Sequence, residues 1–250
     1  MSNYKFQVIF PSEPHDSSLI VERFRHDAET MQSVGINVGT RPLEDATTLM
    51  YKGFIIKREE DYPNDGRFIH TYRENLLLTN MSEYYPYIAD LSIETFFVDE
   101  LEERVAVLIK AKGWDKAFIK KDSKALEHVD EGKSVWPNTS FEEMNNLYKE
   151  FNTEGKYAIR KYIDPKIIEQ EQRYWVFNGN IYHRTNEIPD VVKAAAKRLD
   201  KLGSRYYTID ATPDFIVEVN PGESSDRHAV NSAELFASWI KKEFVDINAS

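Results

Sequence analysis

The sequence predicts a mixed α/β and α+β protein: a small α/β lobe, then antiparallel hairpins with covering helices. Three observations carry this. The first third alternates short strand-like runs with helical stretches. Asn178-Gly179 between two apolar runs marks a tight hairpin. Tyr206 to Gly222, YYTIDATPDFIVEVNPG, reads as two strands flanking a turn of Ala211, Thr212, Pro213 and Asp214. Hairpins with covering helices after an alternating segment argue for two packed lobes, and clefts between lobes are common ligand sites.

The elements follow in order. Lys5 to Phe10 is a first strand, ended by Pro11 and Pro14. His15 to Val34 has Leu19, Ile20, Phe24, Ala28 and Met31 at helical spacing, with Gly35 as its cap. Met50 to Lys57 (MYKGFIIK) reads as a strand with an internal Gly53. Arg67 to Tyr87 is aromatic-rich and fits helix and strand alike, its rings suiting a core or a seam. Leu101 to Lys112 is an amphipathic helix stopped by Gly113, and Ala117 to Lys120 a short strand. Lys121 to Asn138 is a charged loop. Ser140 and Glu143 form a capping box for a helix from Phe141 to Phe151. Tyr157 to Ile163 is a strand ended by Asp164-Pro165. Arg173 to Phe177 and Ile181 to Thr185 flank the Asn178-Gly179 turn. Pro189 to Leu202 is a helix with Gly203 as its stop, and Asp226 to Phe244 a closing helix.

Composition bounds the chemistry. The 250 residues are 41% hydrophobic and 30% charged, which suits an ordinary globular core. The formal net charge of -10 argues against broad nucleic-acid binding. There is no cysteine, which excludes disulfides, thiolate catalysis and cysteine-zinc sites. No run approaches the ~20 apolar residues of a membrane span, and MSNYKFQVIF has no long apolar signal region. The expected location is cytoplasmic. The six histidines, His15, His26, His70, His128, His183 and His228, are scattered, and His183 reads as structural. No Walker loop, Gly-x-Gly-x-x-Gly fingerprint or Gly-x-Ser-x-Gly elbow occurs.

The candidate site is the 206–222 hairpin. Side chains two apart on a strand share a face, so Glu218 and Asn220 look out together while Val217 and Val219 face the opposite layer. Folding the hairpin brings Asp210 beside them. Hard oxygen ligands on a rigid element suit magnesium holding nucleotide phosphates. Solvated polar residues on an ordinary hairpin are the bland alternative.

Upstream, other parts fall into order: the strand lysine of Phe118-Ile119-Lys120, the Ile159 to Ile163 strand, Glu171 and Arg173 on one face, then Arg184. This order, ending in Asp210, Glu218 and Asn220 within EVNPG, resembles the ATP-grasp superfamily over roughly residues 115 to 225. The N-terminal third is similar in outline to a small bacterial and phage clade of these ligases.

The resemblance implies an ATP-grasp fold, with a small α/β lobe, antiparallel-sheet lobes and the nucleotide between them. Residues 1–90 would form the N-terminal domain and 91–250 the ATP-grasp domain, with a lid portion at 115–157 and a metal-binding core at 158–250. Lys120 would touch the α- and β-phosphates, with Lys121 and Lys124 as rivals. The backbone of Lys161, Tyr162 and Ile163 would read adenine. Arg160 stands where the wider superfamily has an acid and would touch phosphate or substrate. Glu171 would lie near ribose or phosphates. Arg173 and Arg184 would neutralise the transferring phosphoryl group. Asp210, Glu218 and Asn220 would hold two magnesium ions, with Glu218 bridging. Lys52 stands where the clade favours arginine. The Gly222 to Ser225 loop would approach the reacting groups, its amides holding an anion if the next helix starts at Asp226.

The implied activity is an ATP-dependent carboxylate–amine ligase working through an acyl-phosphate, giving an amide, ADP and phosphate, with residues 121 to 138 closing over the site. The cofactors are ATP and magnesium. The partners are small-molecule or peptide carboxylates and amines, without membrane or nucleic acid. A homodimer is compatible, but no seam is readable. The alternatives are an ATP-binding module without turnover and a phosphotransferase of the same fold.

Overall fold

The computed structural model describes residues 5–123, 135–150, 155–227 and 231–246. Most of the loop expected to close over the site, with Lys124, His128 and Gly132, lies outside the described residues, as does His228.

The N-terminal layer is a parallel sheet. Strand β1 (Phe6–Ile9) lies at its centre, with β4 (Asn37–Gly39) and β5 (Thr48–Tyr51) on either side. A small hairpin, β2 (Ser12–Glu13) and β3 (Asp16–Ile20), precedes α1 (Glu22–Ser33). The helix expected from His15 therefore begins seven residues later. Asp16 accepts from the Ser18 backbone N–H at 2.9 Å and from its hydroxyl at 2.6 Å, a local turn that competes with helix. Leu19 is exposed, whereas Phe24, Ala28 and Met31 are buried, so the helical stripe is real but shorter. Strand β5 ends before Lys52 and Gly53, which contradicts the expected strand from Met50 to Lys57.

Two helices resolve the aromatic stretch: α2 (Tyr72–Thr79) and α3 (Met81–Ile88). Tyr84 and Tyr85 enter the core, as expected of a seam. A strand not expected from the sequence, β6 (Thr95–Val98), precedes α4 (Glu103–Ala111). It pairs with β9 (Tyr157–Lys161), which pairs with β7 (Ala117–Lys121), which pairs with β8 (Val135–Trp136). This antiparallel sheet carries α5 (Phe141–Glu150), whose capping box is present: the Glu143 N–H donates to Ser140 Oγ at 3.2 Å and the Ser140 N–H to Glu143 Oε2 at 2.9 Å.

After the short helix α6 (Pro165–Ile168), the chain builds a central antiparallel sheet. Its order is β11 (Asn180–Tyr182), β10 (Gln172–Phe177), β12 (Tyr206–Ala211), β13 (Ile216–Pro221). Asn178 and Gly179 both have positive φ (49° and 80°), as the primed turn requires. Helix α7 (Asp190–Leu199) covers one face. The closing helix α8 (Ala233–Phe244) starts at a Ser232 cap, not at Asp226, which removes the expected helix N-terminus beside the Gly222 turn.

The alternation of the central strands positions the site. Tyr174, Val176, Tyr207, Ile209, Ala211 and Val219 face a core built with α3 and α7. The other face splits in two. Trp175, Phe177 and Tyr206 pack against the N-terminal layer and α8. Arg173, Asp210, Glu218 and Asn220 continue that face as a polar half, because Arg173 is paired with Asp210, Asp210 with Glu218, and Thr208 with Asn220. A β-bulge at Asp210/Ala211 shifts the register so that Ile216, rather than Val217, pairs with Ala211 and fills the core. Val219 is buried as expected, but Val217 is only half-buried.

Candidate functional site

Strand parity selects the lysine. On β7, Ala117 and Ile119 face the core beneath α5, so Lys121 points the same way and Lys120 the opposite way. Lys121 Nζ is spent on the Gly155 carbonyl at 2.8 Å and lies 3.7 Å from the centre of the Tyr157 ring. Lys120, buried, bonds Glu218 Oε1 across the gap between the two sheets. The structure thus brings Lys120, and not Lys121, to the polar half-face.

Four charged groups and one amide interlock there. Arg173 forks onto Asp210, Nε to Oδ1 and Nη2 to Oδ2, both at 2.7 Å. Its Nη1 donates to the Asp226 carbonyl at 2.8 Å. Asn220 Nδ2 donates to Asp210 Oδ2 and to Glu218 Oε2, each at 3.3 Å. Burial pushes the Glu218 carboxyl up, but the Lys120 ammonium, then Arg160 and Asn220, outweigh it and hold it below the ordinary range. Burial likewise lowers Arg173, and its bonds to Asp210 more than offset this. Each carboxylate carries one cation, so the buried charges are compensated in pairs.

Arg160 sits on the same side of the β6–β9–β7–β8 sheet as Lys120. The bulge in β13 leaves Val217 without a partner in the register, and Arg160 Nη2 donates to its carbonyl at 2.7 Å. Its Nε is buried and has no partner among the described residues. Lys161 ends β9, and Tyr162 and Ile163 follow it; the Lys161 N–H donates to the Glu94 carbonyl at 2.8 Å, and Lys116 Nζ lies 5.1 Å from the Tyr162 ring centre. Glu171 precedes β10 rather than lying in it. Arg184 lies two residues beyond β11, not at its end. It is exposed and reaches Gln172 Oε1 at 3.4 Å instead of the Asp210–Glu218–Asn220 set. His183 bonds Thr185 Oγ1 at 2.9 Å and stacks on Tyr174, a structural role.

Asp210, Glu218 and Asn220 converge within hydrogen-bond reach; with the Asn220 amide turned to present Oδ1 in place of Nδ2, they form an all-oxygen donor set that fits a hard divalent cation. The set has two carboxylates and an amide; among the described residues no three His, Asp or Glu side chains cluster as a metal site. No described helix is long and apolar enough to cross a membrane.

A second polar group, missed in the sequence, lies behind the turn after β13. Tyr62 OH donates to Glu223 Oε1 at 3.1 Å, and His70 Nδ1 stands 4.0 Å from Glu223 Oε2. Both His70 nitrogens and the Tyr206 hydroxyl are buried without partners among the described residues. A Cβ on Gly222 would stand 2.4 Å from the Tyr206 ring, so the turn needs glycine there. Burial raises Glu223 to about 7 and lowers His70 to about 4. A carboxyl raised in the folded state favours folding at low pH. Its contribution is fully present below the unfolded value of ~4.3 and is lost as pH rises toward about 7. His70, lowered when folded, acts oppositely: its contribution is lost as pH falls from ~6.5 to about 4. Glu223→Gln is therefore expected to gain stability over wild type as pH rises from 4.5 to 7, by up to ~1.4 kcal/mol per pH unit. Thermal melts across that range check it; a pH-independent difference contradicts it.

No protein-family model matches the chain, and no curated protein matches its sequence. Solved structures do match. A Chryseobacterium gregarium RiPP-associated ATP-grasp ligase, in complex with ADP and a leader and core peptide, is 13% identical, with a TM-score of 0.62 over 97% of each chain. D-alanine–D-alanine ligase from Bacillus anthracis, complexed with ATP, is 13% identical, with a TM-score of 0.58 over 98% of this chain and 99% of that one. The ATP-grasp ligase PsnB, complexed with minimal precursor, Mg and ADP, is 10% identical, with a TM-score of 0.57 over 96% and 98%. At these identities the likeness shows the fold: the chain has the ATP-grasp architecture along nearly its whole length.

Proposed function

We propose that this chain is an ATP-dependent carboxylate–amine ligase whose site is the gap between the β6–β9–β7–β8 sheet, acting as a lid, and the polar half-face of the central sheet. The observation that carries the reading is the convergence there of Lys120, Arg173, Asp210, Glu218 and Asn220. Two cations poised on two carboxylates suit a site that exchanges partners with a polyphosphate. The ion pairs keep the buried charges compensated before the nucleotide arrives; Lys120 and Arg173 then turn to phosphate oxygens, which a guanidinium fork fits bidentately. Asp210, Glu218 and Asn220 would hold magnesium, which would further neutralise the phosphates. Positioning and charge neutralisation are what phosphoryl transfer chiefly needs.

In the reaction, an acceptor carboxylate oxygen attacks the γ-phosphorus and the bond to ADP breaks. An amine then attacks the carbonyl carbon, phosphate leaves, and the amine proton passes to solvent. Arg160, Arg173 and Arg184 are the cations available to the transferring group, with Arg184 needing to swing from Gln172. The hinge at Lys161, Tyr162 and Ile163 would meet adenine, and Glu171 the ribose or phosphates. Residues 1–90 would choose the acceptor. Relatives in fold that carry peptides, and one that is a D-alanine ligase, support testing peptides and amino acids. The net charge of -10 favours small or basic acceptors.

The test supplies magnesium-ATP with pooled amino acids and short peptides, and scores ADP, phosphate and product mass. The expected product weighs one amine acceptor more, less water. A phosphorylated acceptor instead assigns a phosphotransferase, and magnesium-ATP binding without turnover in any pool assigns a binding module.

A further inference from the structure

We infer that Lys52 is a positioning residue for the Gly222–Ser225 turn, through which the N-terminal parallel sheet sets the geometry of the site; its activity readout rests on the ligase reading. Lysine is rarely buried without a paired charge. Lys52 is 3% exposed. It makes no salt bridge among the described residues, and its Nζ donates to the Ser225 carbonyl. The ammonium lies 5.6 Å from the Trp175 ring centre and 6.0 Å from that of Phe236. A methionine would pack on those rings without desolvating a charge. What the lysine adds is the bond to the turn.

That turn connects to the catalytic set. Ser225 Oγ donates to the Pro221 carbonyl at 2.7 Å and lies 3.1 Å from Thr208 Oγ1, on the strand that carries Asp210. The next carbonyl, Asp226, takes Arg173 Nη1, and Arg173 forks onto Asp210. Arg23 of α1 closes the outer side with two 2.9 Å bonds to the Asp226 carboxylate.

The neighbouring residues grip the turn a second time. The Gly53 N–H donates to the Glu223 carbonyl at 2.8 Å, and Tyr62 holds the Glu223 carboxyl. A Cβ on Gly53 would stand 2.4 Å from the Tyr51 hydroxyl and 2.7 Å from Pro11, so this approach admits no side chain. Lys52, Gly53 and Tyr62, all from the N-terminal segment, thus fix three points of a four-residue turn that begins two residues after Asn220. Burial also draws the ammonium down to about 8, with Asp27, Asp226 and Glu223 opposing and Arg173 reinforcing that fall.

The experiment compares wild type with Lys52→Met and Lys52→Arg by amide hydrogen exchange over residues 222–227 and by steady-state ADP formation. For Lys52→Met we expect faster exchange confined to the turn, kcat lower by about tenfold or more, and KM for ATP within about twofold. Lys52→Arg restores both. Tyr62→Phe, which removes one grip and no charge, quickens exchange in the same segment. Turn exchange in Lys52→Met equal to wild type overturns the inference, whether turnover is kept or lost. Should Lys52→Met fail to fold, unchanged exchange in Tyr62→Phe overturns it. If wild type turns over no acceptor, the ligase reading fails while the exchange data still decide the role of Lys52.

Discussion

Glu218→Gln is expected to lower ADP formation by about a thousandfold while the protein keeps its fold. Glu218 bonds Lys120 and accepts from Asn220, and is the carboxylate to which both sheets contribute. Glutamine still accepts from Lys120 but leaves that buried ammonium without a countercharge, so the melting temperature should fall, though by less than if the side chain were removed. What disappears is the negative charge. With it goes the held-down carboxyl that Lys120, Arg160 and Asn220 maintain against burial. Turnover within a few fold of wild type would place the chemistry elsewhere.

Arg173→Met is expected to have the largest effect on stability. The Asp210 side chain is 3% exposed, and Arg173 fills both of its oxygens. Removing one partner of a buried pair costs ~3–5 kcal/mol, which for a chain of this size lowers the melting temperature by roughly 10 °C. Adding Asp210→Asn removes the abandoned charge, so the double variant should recover part of the loss. Additive melting shifts in this cycle would mean that the pair is not the source of the stability.

Where the sequence carries its own periodicity, the structure follows it. Period-two alternation and the Asn178-Gly179 turn placed the central hairpins, and the Ser140–Glu143 box placed α5. Asp210, Glu218, Asn220, Arg173 and Lys120 do meet, because adjacent strands bring the first four onto one half-face and β7 faces it with Lys120. Residues that depend on register were not readable in this way. Lys120 and Lys121 look alike until β9 fixes which side of β7 faces the gap. The bulge that leaves Val217 unpaired in the register, its carbonyl bonded by Arg160, leaves no mark in the sequence.

Long-range contacts hid the rest. Residues 16–20 are polar enough to read as a helix start, yet they pair with residues 12 and 13. Asp226 looks like a helix cap, but Arg23 and Arg173 hold it in the loop and Ser232 caps α8 instead. Lys52 and Glu223 look like surface charges, and only the packing of the N-terminal layer on the central sheet buries them.

The central claim is that a carboxylate is activated by phosphoryl transfer, and the most direct measurement follows its oxygens. An acceptor carboxylate labelled with oxygen-18 is turned over with magnesium-ATP and the amine, and the products are weighed. One labelled oxygen is expected in the released phosphate per amide formed, with ADP as the nucleotide. Label in AMP, or unlabelled phosphate alongside amide, would contradict it.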